Sequence, residues 1–173
     1  MKKSFSSIAV ILVLLGCSLP TYSLTNNNCT CNQKNEEAVI KLIDEVWNKG
    51  NFQIVDQLIA PQYTIRHDPG DQWENKTIDL ATYKNRVKMS RDVLPDQKFH
   101  IEDLVCQNDK IVIGWKFTGT QKGDLPGLPA TNKKVSISGL TIYYFSEGKI
   151  IGHWQVIDKL NLFRQLRGET GKQ

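Results

Sequence analysis

The sequence predicts an α+β domain in which three N-terminal helices pack on a curved, mainly antiparallel sheet. Between residues 36 and 94 apolar residues recur at helical spacing, and from Phe99 to Asp158 the period changes to two. Helices followed by strands place the helices together on one face of a sheet, not between parallel strands. A length of 173 residues holds one domain and an appendage, so both halves belong to one core.

The appendage is at the start. Lys2 and Lys3 precede an apolar run from Ile8 to Leu15 and then a small-residue region, the three-part layout of a secretory signal over residues 1–23. The run is too short to span a bilayer, which needs about 20 apolar residues. Two endings stay open. Thr21-Tyr22-Ser23 suits cleavage before Leu24, whereas Leu14-Leu15-Gly16-Cys17 resembles a bacterial lipobox and would put lipid on Cys17. Either way the protein is expected to be exported, and to be periplasmic, secreted or lipid-anchored in a bacterial envelope.

Loss of residues 1–23 removes two lysines and no acid, so the formal charge falls from +4 to +2. A nearly neutral domain gives no reason to expect a nucleic-acid partner. Arg86, Lys88 and Arg91 read as a solvated helix face. No His or Cys pairs stand at ligand spacing, so no metal site is expected. In an exported protein Cys106 can pair with Cys29 or Cys31, whereas those two are too close to bridge each other without strain.

Residues 24–35 are polar and unpatterned and read as a tether; the domain runs from 36 to 168, with a tail at 169–173. The first helix shows Val39, Ile40, Ile43, Val46 and Trp47 on one face and stops at Gly50. The second carries Phe52, Val55, Leu58 and Ile59 and closes before Pro61. Tyr63 to His67 is extended, and Asp68-Pro69-Gly70 turns the chain. The third helix starts at a cap on Asp79 and runs through Leu80, Tyr83 and Val87 to Leu94. Strands follow near Cys106, over Ile111–Phe117, over Val135–Phe145 and over Lys149–Asp158, with turns at Asn108-Asp109 and Ser146-Glu147-Gly148.

A sheet curled around helices can leave an apolar hollow suited to a small molecule. Trp154, Val156 and Asp158 alternate onto one strand face, so a carboxylate shares its surface with an indole. In such a hollow the carboxyl pKa would rise, which suits proton transfer at carbon. His67 can share the proton, and Tyr63, Tyr143, Tyr144 and Trp115 can donate to a substrate oxygen. Simpler roles stand beside these. Asp158 can cap the turn before Leu160, His67 can stabilise its turn, and Trp47, Trp115 and Trp154 can be core. Trp73 can be a lid, and His100 and His153 are expected at solvent or a subunit contact.

The second half resembles the SnoaL-like polyketide cyclase (ester cyclase) family of the NTF2-like superfamily. Leu94-Pro95-Asp96 and Ile101-Glu102-Asp103-Leu104-Val105 are similar to its "PD…IEDLVAEGD" stretch. Trp115 to Thr120 with Gly123 is similar to "W…GTHxG", and Gly127-Leu128-Pro129 with Thr131 and Lys133 to "GxPPTGK". Gly148-Lys149-Ile150, Trp154, Asp158 and Gln165-Leu166 are similar to "GKIxxxW…D…QL". The likeness spans about residues 36–168.

The resemblance implies an α+β NTF2-like cone that often dimerises, with no metal or organic cofactor. It also implies an aspartate general acid/base near the last strand for aldol closure. By position Asp158 matches that aspartate and His67 the family's histidine after the first strand. Trp154, Trp115, Tyr63 and Tyr143 would line the substrate site. The family's histidine in "GTH" is Gln121 here, which cannot carry a proton, and Asn132 stands where the family has a glycine. Two functions are therefore expected: acid/base catalysis on a small apolar carbonyl or ester compound, or non-catalytic binding of such a molecule. An epoxide hydrolase of this fold would need an Asp-Arg-Asp constellation, and no arginine is spaced to build one with Asp158.

Overall fold

The computed structural model describes residues 31–169. Residues 1–23, expected to be a signal, lie outside the described residues, Cys17 among them, as does Cys29. Helix α1, Gln33–Lys41, begins before the expected Glu36 because the Asn32 side chain caps it by accepting from Lys34 N. It continues as a π-helical segment, Leu42–Asn48, that buries Leu42, Ile43 and Val46. Gly50 ends it at a φ of 72°, the left-handed conformation that glycine adopts without strain. A 3₁₀ turn, Phe52–Ile54, leads into the one-turn helix α2, Val55–Leu58.

Strand β1 then runs Ile59–His67, longer than its sequence pattern suggests. Strand β2, Lys76–Asp79, pairs with it antiparallel and carries no clear alternation by which to predict it. Helix α3, Leu80–Val93, is capped as expected by Asp79, which accepts from Thr82 N. Strands β3 (Lys98–Gln107), β4 (Lys110–Thr120), β5 (Lys134–Ser146) and β6 (Lys149–Ile157) form a meander. Glu147 and Gly148 both have positive φ, which matches the turn to the strand twist between β5 and β6.

The sheet order is β2-β1-β6-β5-β4-β3, antiparallel throughout except for the parallel β1–β6 pair. Two differences modify the expected block of three N-terminal helices. Strands β1 and β2 interrupt it before α3, and a fourth helix, α4 (Lys159–Arg167), closes the chain. The sheet curves around a core in which Tyr63, Ile65, Ile113, Trp115, Phe117 and Tyr143 meet Val39, Val46, Tyr83 and Val87. Burying each large apolar side chain contributes about 1.5–3 kcal/mol.

Two primary amides finish open strand backbone. Asn48 gives its Nδ2–H to Phe99 O and accepts from Phe99 N, and Gln165 does the same for Ser136 O and N. Cys106 pairs with Cys31, 75 residues away, so the disulfide joins the start of the described chain to edge strand β3.

Candidate active site

On β6 the expected alternation holds, but the face it selects is the outer one. His153 is 2% exposed and Gln155 reaches Asp68, whereas Trp154 is half-buried and Val156 and Asp158 are exposed. Asp158 caps α4, with Oδ1 accepting from Asn161 N at 3.0 Å. An exposed capping carboxylate lacks the water-poor surroundings on which its expected role depends. His153, expected at solvent, is instead core.

His67 also lies outside. Ile65 pairs with His153 and His67 with Trp154, so two residues of β1 advance against one of β6. Such a bulge re-aims the side chains after it. The His67 ring stacks on Trp154 at 4.9 Å, and its Nδ1 stands 3.2 Å from Glu74 Oε1.

The same bulge turns Asp68 inward, where it is 2% exposed. Its Oδ2 accepts from Arg86 Nη2 at 2.5 Å and from Gln155 Nε2 at 2.6 Å. Arg86 gives its Nε–H to Asp71 at 2.7 Å, so a buried Asp-Arg-Asp constellation exists, built on Asp68 and not on Asp158. Arg86 thus corrects its reading as a solvated residue: it shares a helix face with Tyr83 and Val87. Arg91 gives to Trp47 O and Asn48 O, and only Lys88 remains at the surface, beside Asp92.

Tyr63 and Tyr143 are buried in the interior and Trp115 is core, with its indole Nε1–H given to Thr141 Oγ1. Tyr63 Oη lies 2.8 Å from His153 Nδ1. Burial holds the Tyr63 phenol well above its ordinary pKa, and because Nε2 faces the Asp68 carboxylate we assign the tautomer in which the phenol donates to Nδ1. Burial also holds His153 below its ordinary pKa, against the pull of Asp68. The neutral ring therefore carries its proton on Nε2, 3.7 Å from Asp68 Oδ2.

Burial alone would raise the Asp68 pKa, but contact with His153 and the charges of Arg86 and Lys159 together hold it below the ordinary value. The interior around Asp68 is thus not wholly apolar, and its carboxylate shifts opposite to the expected direction. Lys159 Nζ bonds Pro69 O at the rim, 3.7 Å from Asp68 Oδ1. Asp68 Oδ1 and His153 Nε2 are buried without a hydrogen-bond partner among the described residues, one an acceptor and one a donor. Neither residue is marked by motif or spacing; the only signal for Asp68 is its place next to His67.

Gln121 is fully buried and organises its loop. Its Oε1 accepts from Thr131 N and Oγ1, and its Nε2 gives to Gly123 O, Leu128 O and Pro129 O. Asn132 takes the left-handed φ of 57° expected of it. A groove of about 430 Å³ lies elsewhere, between the ends of β4 and β5 and Gln165, and holds none of the predicted site residues. Among the described residues no His, Cys, Asp and Glu cluster could hold a metal ion.

A curved six-stranded sheet closed by helices around a buried Asp–His pair defines an α+β protein of NTF2-like fold. The family model for SnoaL-like polyketide cyclases matches residues 37–166, and the chain belongs to that family. A candidate polyketide cyclase from Acidithiobacillus ferrooxidans is 44% identical, with a TM-score of 0.74 over 80% of this chain and 98% of that one. TsrD from Streptomyces laurentii shares the fold at 24% identity and a TM-score of 0.67, over 79% of this chain and 97% of its own. IdmH from Streptomyces antibioticus, named as a candidate polyketide cyclase, shares it at 22% and 0.67, over 77% and 98%. No curated protein matches the chain.

Proposed function

We propose that this protein catalyses proton transfer next to a carbonyl, in a cyclisation or isomerisation of a small apolar carbonyl or ester compound. The observation that carries the reading is the couple of Asp68 Oδ1 and His153 Nε2–H, both buried without a hydrogen-bond partner among the described residues. A carbonyl oxygen would accept from Nε2–H while Oδ1 takes the proton from the adjacent carbon. The C–H electron pair becomes the enolate π bond, and the charge moves to the oxygen that His153 holds. The enolate carbon then bonds a second carbonyl carbon in the same molecule, and the new alkoxide recovers the proton from Asp68.

A carboxylate held below its ordinary pKa is always ionised at neutral pH, but it is a weak base. That favours a C–H flanked by two carbonyl groups. The test is deuterium wash-in at carbon for a panel of apolar β-ketoesters and monoketones. Asp68→Asn should lower the rate by about 10²-fold or more; an unchanged rate removes Asp68 from the mechanism. Binding of these compounds without wash-in would favour the non-catalytic reading.

A second reading is favoured by the Asp68–Arg86–Asp71 constellation: Asp68 Oδ1 would take a proton from a water that opens an epoxide. Both carboxylates there face Arg86, so the proton for the epoxide oxygen would come from the Lys159 ammonium. Small apolar epoxides in the same panel separate the two reactions.

Export is part of the proposal, supported by the N-terminal pattern and by the Cys31–Cys106 disulfide, which suits an oxidising compartment. Intact mass of the native protein would report cleavage before Leu24 or lipid on Cys17. A homodimer is proposed from the family resemblance and supported by the exposed Leu140 and Val156, paired on neighbouring strands of the outer face. Light scattering of the purified chain tests it.

A further inference from the structure

The inward face carries a run of hydrogen bonds whose ends cannot exchange roles. At one end the Trp115 indole can only donate, and it gives Nε1–H to Thr141 Oγ1 at 2.9 Å. At the other the Asp68 carboxylate can only accept, and Oδ2 takes Nε2–H from Gln155 at 2.6 Å. Between them the Thr141 hydroxyl gives its own proton to Gln155 Oε1 at 3.0 Å. The Gln155 amide is therefore oriented from both sides, and every proton in the run points from indole to carboxylate. Register supports the run, since Thr141 and Gln155 are direct cross-strand partners on β5 and β6.

From this geometry we infer that Trp115, Thr141 and Gln155 are positioning residues for Asp68, which they and Arg86 saturate at Oδ2 so that only Oδ1 can exchange a proton. Simple satisfaction of buried polar groups would not need one polarity over three strands. The inference rests on the reading of Asp68 as the base. The charged and titratable groups facing the Asp68 carboxylate are Arg86 from α3, His153 from β6 and Lys159 from α4; from the loop after β1, Asp71 stands across Arg86 and Glu74 accepts from the Asp68 amide. Of these, Arg86 alone shares Oδ2 with Gln155 at hydrogen-bond distance.

The test follows the Trp115 indole N–H resonance in the full chain. Asp68→Asn should move that resonance although two side chains intervene, Thr141→Val should abolish the movement, and Thr141→Ser should restore it. Because Asp68→Asn can strand Arg86 and unfold the chain, the same resonance is also followed through acid titration of the wild type. An indole shift with the midpoint of the Asp68 carboxyl carbon supports the run, and independence of the two overturns it. With a substrate in hand, Thr141→Val should move the acid limb of the pH–rate profile upward and Thr141→Ser should return it. Loss of turnover in Asp68→Asn with a silent indole keeps the base and overturns the run. Unchanged turnover with a responsive indole does the reverse.

Discussion

His67 and Asp68 are consecutive residues that meet opposite sides of the sheet, the imidazole stacked on Trp154 outside and the carboxylate bound to Arg86 within. The β1 bulge makes this division. It separates a surface aromatic pair from an interior charge, and it decides which neighbour can do chemistry away from water.

The two aspartates should respond differently to substitution. Asp158→Asn keeps an acceptor at the start of α4 and should leave stability nearly unchanged, whereas Asp158→Ala should cost about 0.5–2 kcal/mol. Asp68→Ala should cost more, about 3–5 kcal/mol, because it leaves Arg86 buried with half its partners. Urea unfolding of the three variants makes the comparison.

Stability should fall on acidification below about pH 6.5, through His153. Its folded pKa lies below the ordinary 6.5, so between those two values the unfolded chain binds more protons than the folded one. Stability is full above that window and is lost as pH falls through it. Urea midpoints at several pH values should slope there in the wild type and flatten in His153→Gln. Equal slopes would show that His153 does not carry the effect.

Gln121→Leu keeps the volume but strands the Thr131 donors and the Gly123 and Pro129 carbonyls, while Leu128 O keeps the Leu125 amide. The expected cost is roughly 1–3 kcal/mol. Hydrogen exchange should accelerate at Thr131, whose amide bonds Gln121 Oε1, while the core strands keep their order of protection.

Reduction of Cys31–Cys106, or Cys31→Ser, releases a closure of 75 residues. Chain entropy puts the loss at about 4.5 kcal/mol. Thermal unfolding with and without reductant measures it, and the Cys31→Ser chain should be insensitive to reductant.

Gly139→Ala should be poorly tolerated. A Cβ there would lie 2.2 Å from Trp115 Cζ2 and 2.6 Å from Val156 O. The indole can shift but the backbone cannot follow it freely, so a loss of roughly 1–3 kcal/mol and altered Trp115 fluorescence are expected.

Much of the fold was legible because local rules and tertiary packing agree. Asp79 reads as a cap and is one, Gly50 reads as a stop and adopts positive φ, and period two marks β4 and β5. Strand β2 was not legible, because its four residues depend on pairing with β1 for their conformation. For the candidate site, alternation correctly grouped Trp154 with Val156 and Asp158 but could not say which face of β6 turns inward. The bulge that brings Asp68 inside leaves no mark in residue type. Arg86 reads as solvated because its partners, Asp68 and Asp71, are 18 and 15 residues away.

Asn48 and Gln165 each occupy both backbone groups of one strand residue. At those points a passing peptide finds neither donor nor acceptor to zip onto, so the sheet's exposed margins are guarded against self-templating. A concentrated preparation of Asn48→Leu or Gln165→Leu would be the place to look for fibrils.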